Sequence, residues 1–281
     1  MKLQIYKTLW GHNGTLESAI IKATLADFDG LEGPAPEDAL DSQKMKLLLD
    51  DAGLDYIAEI TTAGTYVPDR RASLQQHIDS FADKLEHSLL LNPRFITCLG
   101  GCDAWSEEKN VEFFSAAIEL ADSAGMAVSF ETHRSRAFFN PWVTDRIVSQ
   151  LPHIKLTCDF SHWCVVCERL MDTELDVLER LSSHAHHIHA RVGYDQGPQV
   201  PHPAAPEYEY ALRSHQSWWE MIWQQQLNTG KQVTTMTPEF GPDGYLQELP
   251  FTREPVANLW DINCWMANEE RGHFETFLKS Q

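Results

Sequence analysis

An α/β fold closed as a (β/α)8 TIM barrel is predicted by three observations. Short β-rich runs alternate with longer helical patterns from one end of the chain to the other, the pattern of a parallel sheet with crossover helices. The alternation repeats eight times. The 281 residues match one such barrel and leave no segment over, so residues 1–281 are read as a single (β/α)8-barrel domain. An open doubly wound sheet would also alternate, but it calls for a glycine-rich phosphate loop after an early strand. The candidate, Trp10-Gly11-His12-Asn13-Gly14, lacks the spacing.

Each element has its own signal. The first strand reads Leu3–Leu9, and Thr15 caps a helix to Ala26. Phe28–Glu32 is the second strand, followed by a Gly-Pro-Ala-Pro turn and a helix over Glu37–Ala52. Asp55–Ile60 is the third, with a helix from Ser73 to Leu90. Arg94–Leu99 is the fourth, ending at Gly100-Gly101, and its helix runs from the Ser106 cap to Gly125. Ala127–Thr132 is the fifth; its helix opens at Asn140-Pro141, with proline at the favoured first position. Ile154–Asp159 is the sixth, with Thr173–Ser183 as its helix. His186–Arg191 is the seventh, followed by a Pro-rich loop and a helix over Glu207–Leu227. Gln232–Glu239 is the eighth, and Pro255–Leu278 closes the ring.

Composition narrows the function. Hydrophobic residues make up 43% of the chain, ordinary for a globular enzyme. With 41 acidic against 22 basic side chains the net charge is -19, a field that repels phosphate backbones and anionic membranes. Nucleic acid and membrane are therefore not expected as partners. The six cysteines show no disulfide framework, and no basic-then-apolar leader follows Met1, so a reduced, cytoplasmic protein is expected.

The active site of such a barrel lies at the C-terminal ends of its strands. Alternate strand residues face inward. Near the upper inward ends of strands five to eight stand Glu131, Asp159, His189, which shares its face with His187 and Arg191, and Glu239. Any one of them alone could be a solvated strand-end residue. Three carboxylates converging in one mouth cannot all ionise without a cation. One divalent metal resolves the conflict, and oxygen-rich ligation with one imidazole suits Mn²⁺ first, with Mg²⁺, Co²⁺ or Zn²⁺ as alternatives. His187 shares the inward face with His189, which lies one pleat nearer the top and is preferred.

The segments Ser129-Phe130-Glu131-Thr132-His133, Cys158-Asp159-Phe160-Ser161-His162, His187-Ile188-His189-Ala190-Arg191 and Thr237-Pro238-Glu239-Phe240-Gly241 resemble the xylose isomerase-like TIM-barrel superfamily. That group holds sugar isomerases, ketose epimerases, dehydratases and endonuclease IV. The resemblance implies metal ligation by Glu131, Asp159, His189 and Glu239, with Glu131 and Glu239 as the acid/base pair for proton transfer beside a carbonyl through a metal-stabilised enediolate. It also implies substrate contact by His162 of the Asp-x-x-His motif. The early strands end in Glu32-Gly33, Ala63-Gly64 and Gly100-Gly101 without a histidine, unlike the three-zinc endonuclease.

Arg191 is read either as a substrate-oxygen clamp or as the partner of a mouth carboxylate. Glu32, Trp163, His202 and His133 are candidates for lining a polyol pocket, with weaker claims for Trp10 and His12. Cys164 and Cys167 have redox spacing but are placed in a loop and read as buried thiols. Trp218, Trp219 and Trp223 cannot share one helix face; they either pack beneath the preceding loop or mark a homo-oligomer interface. The leading expectation is a metal-dependent isomerase or epimerase of a small sugar or hydroxy-ketone. Alternatives are a metal-dependent dehydratase of a keto-cyclitol or dehydroshikimate-like acid, and a non-catalytic sugar-binding barrel.

Overall fold

In the computed structural model, which describes residues 1–242 and 244–281, eight parallel strands close into a barrel in sequence order. They are β1 Lys2–Thr8, β2 Gly30–Pro34, β3 Asp55–Thr61, β4 Ile96–Leu99, β5 Val128–Glu131, β6 Leu156–Cys158, β7 Ala185–His189 and β8 Val233–Thr237. The surrounding helices are α1 Leu16–Leu25, α2 Ala39–Ala52, α3 Leu74–Leu89, α4 Glu107–Ser123, α5 Pro141–Val148, α6 Ser161–Val166, α7 Leu175–Ser182, α8 Glu209–Asn228 and α9 Leu259–Lys279. The ring closes where β1 pairs with β8, Lys2 opposite Val233.

The expected caps are in place. Thr15, Ser106 and Asn140 accept backbone N–H groups at the starts of α1, α4 and α5, and Ser73 with Gln76 forms a reciprocal capping box on α3. The eight expected helices become nine among the described residues, because α6 forms directly after β6. The Cys164–Cys167 stretch therefore lies on a short helix and its end, not in a loop. Both thiols are free, and burial pushes both pKa values up.

The tryptophans of α8 are covered within the chain. Trp218 packs on Phe160 and donates to Asp172 Oδ1 at 3.1 Å, while Trp223 meets Phe274 and Phe277 of α9. Trp218, Trp219 and Trp223 are all fully buried within the chain, so of the two readings these three side chains follow internal packing and present no surface to a second copy. The helix is enclosed on more than one side, a long-range outcome that local spacing does not encode.

The barrel interior is layered. Tyr6, Ile57 and Phe95 fill the floor with Ala127 packed on them. Gly30 admits the Tyr6 ring, since a Cβ there would lie 2.6 Å from that ring and 2.2 Å from Asp55 O. Above the floor three hydroxyls interlock: Thr97 Oγ1 bonds Thr157 Oγ1 at 2.8 Å, and Ser129 Oγ bonds the same atom at 2.7 Å. The ionisable groups stand over this layer. No described helix is long and apolar enough to cross a membrane.

Candidate metal centre and active site

Glu131 ends β5, Asp159 follows β6 by one residue, His189 ends β7, and Glu239 stands two residues beyond β8. Each of these four offers a ligand atom, and those atoms all lie within 4.8 Å of one another. All four side chains are buried.

His189 organises the group. Its Nε2 lies 3.0 Å from Glu32 Oε1, fixing a proton there as donor to a carboxylate. Its Nδ1 is buried without a hydrogen-bond partner and faces Glu239 Oε2 at 3.1 Å and Glu131 Oε1 at 3.6 Å. A lone pair aimed at a ring of carboxylate oxygens, with the opposite nitrogen anchored by an acid, is the arrangement of a metal-binding histidine. The donor set thus fits a divalent cation.

Electrostatics point the same way. Burial pushes the Glu131 carboxyl up to about 7, with His189 opposing and Glu239 adding to the rise. Burial also raises Asp159, against the Arg191 guanidinium. Burial alone would raise Glu239, but His189 and Arg191 hold it below its ordinary value. Burial would lower His189, yet Glu239, Glu32 and Glu131 drive it well above the ordinary range. With only protein charges present, the centre draws a proton onto its imidazole; a metal ion satisfies the same negative potential.

Glu32 lies beneath the mouth. Its oxygens receive both histidines, His189 Nε2 at 3.0 Å and His187 Nε2 at 3.2 Å. Burial would push Glu32 up, but the two imidazoles hold it well below the carboxylate range. His187 is also held by Thr235 Oγ1 at 2.8 Å and sits deeper than His189, its ring edge on Tyr6.

Arg191 is fully engaged. It donates to Ser161 Oγ at 3.1 Å, to the Glu239 carbonyl at 3.2 Å, to His162 Nε2 at 2.7 Å and to Asp159 Oδ2. The ion-pair reading is thereby present in the geometry, and Arg191 still lines the mouth. His162, fully buried behind it, reaches Asp159 Oδ2 at 3.6 Å and Glu131 Oε1 at 3.8 Å. Burial, the His133 ring and Arg191 keep His162 well below its ordinary pKa, so it accepts from the guanidinium. His133 lines the mouth with its ring 4.0 Å from that of His162.

Above the four residues opens a cavity of about 500 Å³, walled by Trp10, Glu59, Tyr66, His133, Arg191 and Tyr245. Trp163 and His202 are not brought to it. Trp163 is packed in the core and donates Nε1 to the Phe138 carbonyl at 2.9 Å. His202 caps its own loop, accepting from Ala204 N at 3.1 Å, beside the Trp265 ring. His12 turns to Ser18 and Thr15 instead. Glu59 and Tyr245 are mouth residues outside the expected set. Glu59 faces inward from the middle of β3, two positions beyond Ile57 in the floor cluster. Alternation along that strand is the signal that would have found it.

No family model matches the chain, and no curated protein sequence matches it. Its likeness is to solved structures. An L-ribulose 3-epimerase superposes with a TM-score of 0.68 at 12% identity, covering 100% of this chain and 97% of that one. A D-psicose 3-epimerase from Clostridium cellulolyticum, with D-tagatose, gives 0.63 at 15% identity, covering 96% and 98%. The probable 3-DHS dehydratase from Bacillus anthracis gives 0.63 at 15% identity, covering 95% and 98%. The fold of this chain is the (β/α)8 barrel of these solved structures.

Proposed function

We propose that this chain is a divalent-metal-dependent enzyme that moves a proton beside the carbonyl of a small sugar or hydroxy-ketone, as an isomerase or epimerase. The observation that carries the reading is the partnerless, buried Nδ1 of His189 set among Glu131, Asp159 and Glu239. Those four residues would hold the metal, Mn²⁺ before Mg²⁺, Co²⁺ or Zn²⁺. When bound, it would supply positive charge to the carbonyl and neighbouring hydroxyl oxygens of the substrate.

The chain's own groups do the rest. Glu131 and Glu239 come from strands three apart in the ring and approach a bound carbon from different sides. One of the pair, Glu239 or Glu131, would accept the carbon-bound proton on its side of the substrate. The other would return a proton on the opposite side. Arg191, braced by Asp159 and Ser161 and stacked beside Trp10 and Tyr245, would stabilise negative charge that develops on the substrate, and those two rings exclude water. Likeness in fold to three enzymes, two of them ketose 3-epimerases, supports the same reading.

Incubating the Mn²⁺-loaded protein with a panel of ketoses and keto-acids in D₂O tests the proposal. Deuterium should enter beside the carbonyl of at least one compound, and absence of exchange across the panel would refute it. The same acid/base pair would also serve loss of a β-hydroxyl, the step of a dehydratase; an ultraviolet-absorbing enone or aromatic product would mark that outcome.

A further inference from the structure

A second cavity, of about 420 Å³, opens outside the barrel between β1, α1, α9 and the loops that follow β1 and β8. Trp10 lies between it and the mouth and lines both. The unusual resident is Lys7, on the outward face of β1. Its side chain belongs to a residue only 5% exposed, yet it joins no salt bridge among the described residues. Its Nζ donates to the Thr8 carbonyl at 2.9 Å. An ammonium carries three donors, so two remain without a partner there. A buried charge left in this state costs free energy unless something supplies the missing counter-ion.

Lys22 brings a second positive charge to the same place from α1. The Nζ atoms of Lys7 and Lys22 lie 5.6 Å and 5.5 Å from the Trp260 ring centre. Burial and the Lys22 charge together push Lys7 down to about 8, so it stays mostly charged at neutrality. The first residues of the 21-residue helix α9, Leu259 and Trp260, also line the cavity, adding the positive end of the helix dipole. Among the described lining residues Glu248 is the one carboxylate, in a chain whose net charge is -19. The rest of the wall combines the polar side chains of Thr8, Asn13, Asn258 and Asn263 with an apolar surface formed by Trp10, Phe28, Leu259 and Trp260.

We propose that this side cavity binds a small organic anion, its carboxylate or phosphate held by Lys7 and Lys22 and its apolar body lying between Trp10, Leu259 and Trp260. The site is separate from the metal centre and does not depend on the reaction assigned to it. A ligand there would press on the Trp10 indole, which also meets Tyr245 at 4.9 Å between ring centres and Arg191 at 5.7 Å.

Calorimetric titration of the intact protein with benzoate, phenyl phosphate, inorganic phosphate and benzyl alcohol tests this. Saturable one-to-one binding of benzoate or phenyl phosphate is expected, with benzyl alcohol weaker by about tenfold or more, the scale of a charge-assisted hydrogen bond. Lys7→Met should weaken the aromatic anion by about tenfold or more, and Lys22→Met by a smaller factor. Lys22 is exposed, so its variant reports on the site even if Lys7→Met fails to fold. Failure of both aromatic anions to bind, equal binding of benzyl alcohol, or undiminished binding in the folded variants would overturn the proposal. Inorganic phosphate binding as tightly as phenyl phosphate would overturn the organic-anion assignment.

Discussion

The half of the barrel from β5 to β8 and the half from β1 to β4 carry their charged groups at different depths. The first places Glu131, Asp159, His189 and Glu239 at the strand ends, around one point. The second ends its strands in Thr8, Pro34, Thr61 and Leu99, none of them ionisable, and contributes carboxylates from lower down, Glu32 under His189 and Glu59 beside the cavity. On the proposed reading, one half presents the ligands and the other tunes them. Glu32 fixes which nitrogen of His189 faces the centre, an effect exerted through another residue and invisible from the mouth.

The comparison is broken most directly by Glu239→Gln. If the upper half holds the metal and moves the proton, this change should lower deuterium exchange by about a thousandfold and reduce metal stoichiometry measured by elemental analysis. Glu32→Gln should act less strongly and by a different route. It removes no ligand, but weakens metal affinity by about 10- to 100-fold, as loss of an outer-shell carboxylate does. Unchanged affinity in a competition titration would mean that the lower half does not tune His189.

Glu59 sharpens the contrast further. Burial, with Glu239, Glu131 and Glu32 adding, pushes its carboxyl from 4.5 up to about 8. The folded protein therefore binds this proton more tightly than the unfolded chain does. Its contribution to stability is full below about 4.5 and is lost progressively as pH rises through about 8. Thermal unfolding of the metal-free protein between pH 5 and 9, a range of about four units chosen to span both values, should show stability falling with pH. Glu59→Gln, neutral at every pH, should flatten that fall while changing metal affinity little. The smallest effect is expected for His202→Ala, whose ring faces Trp265 rather than the mouth; exchange should stay within about twofold of the parent.

Much of this was legible in the residues. Strand alternation placed Glu131, Asp159, His189 and Glu239 on inward faces at neighbouring strand ends, because a pleat of period two carries that information locally. Caps such as Thr15, Ser73 and Asn140 marked helix starts for the same reason. What escaped was set by distant contacts. Glu32 read as a pocket residue because its partners, His187 and His189, are about 155 positions away. Trp163 read as pocket wall because nothing local reveals Phe138 behind it. Helix α6, only six residues long, starts too soon after β6 for a period to show. Glu59 was passed over because attention to strand ends neglects an acid one pleat lower.

The most direct test is a crystal structure of the protein grown with Mn²⁺, read by anomalous scattering. One peak is predicted within about 2.0–2.4 Å of His189 Nδ1 and of oxygens from Glu131, Asp159 and Glu239. An ordered barrel with no peak among those four, or with the ion bound elsewhere, would contradict the account.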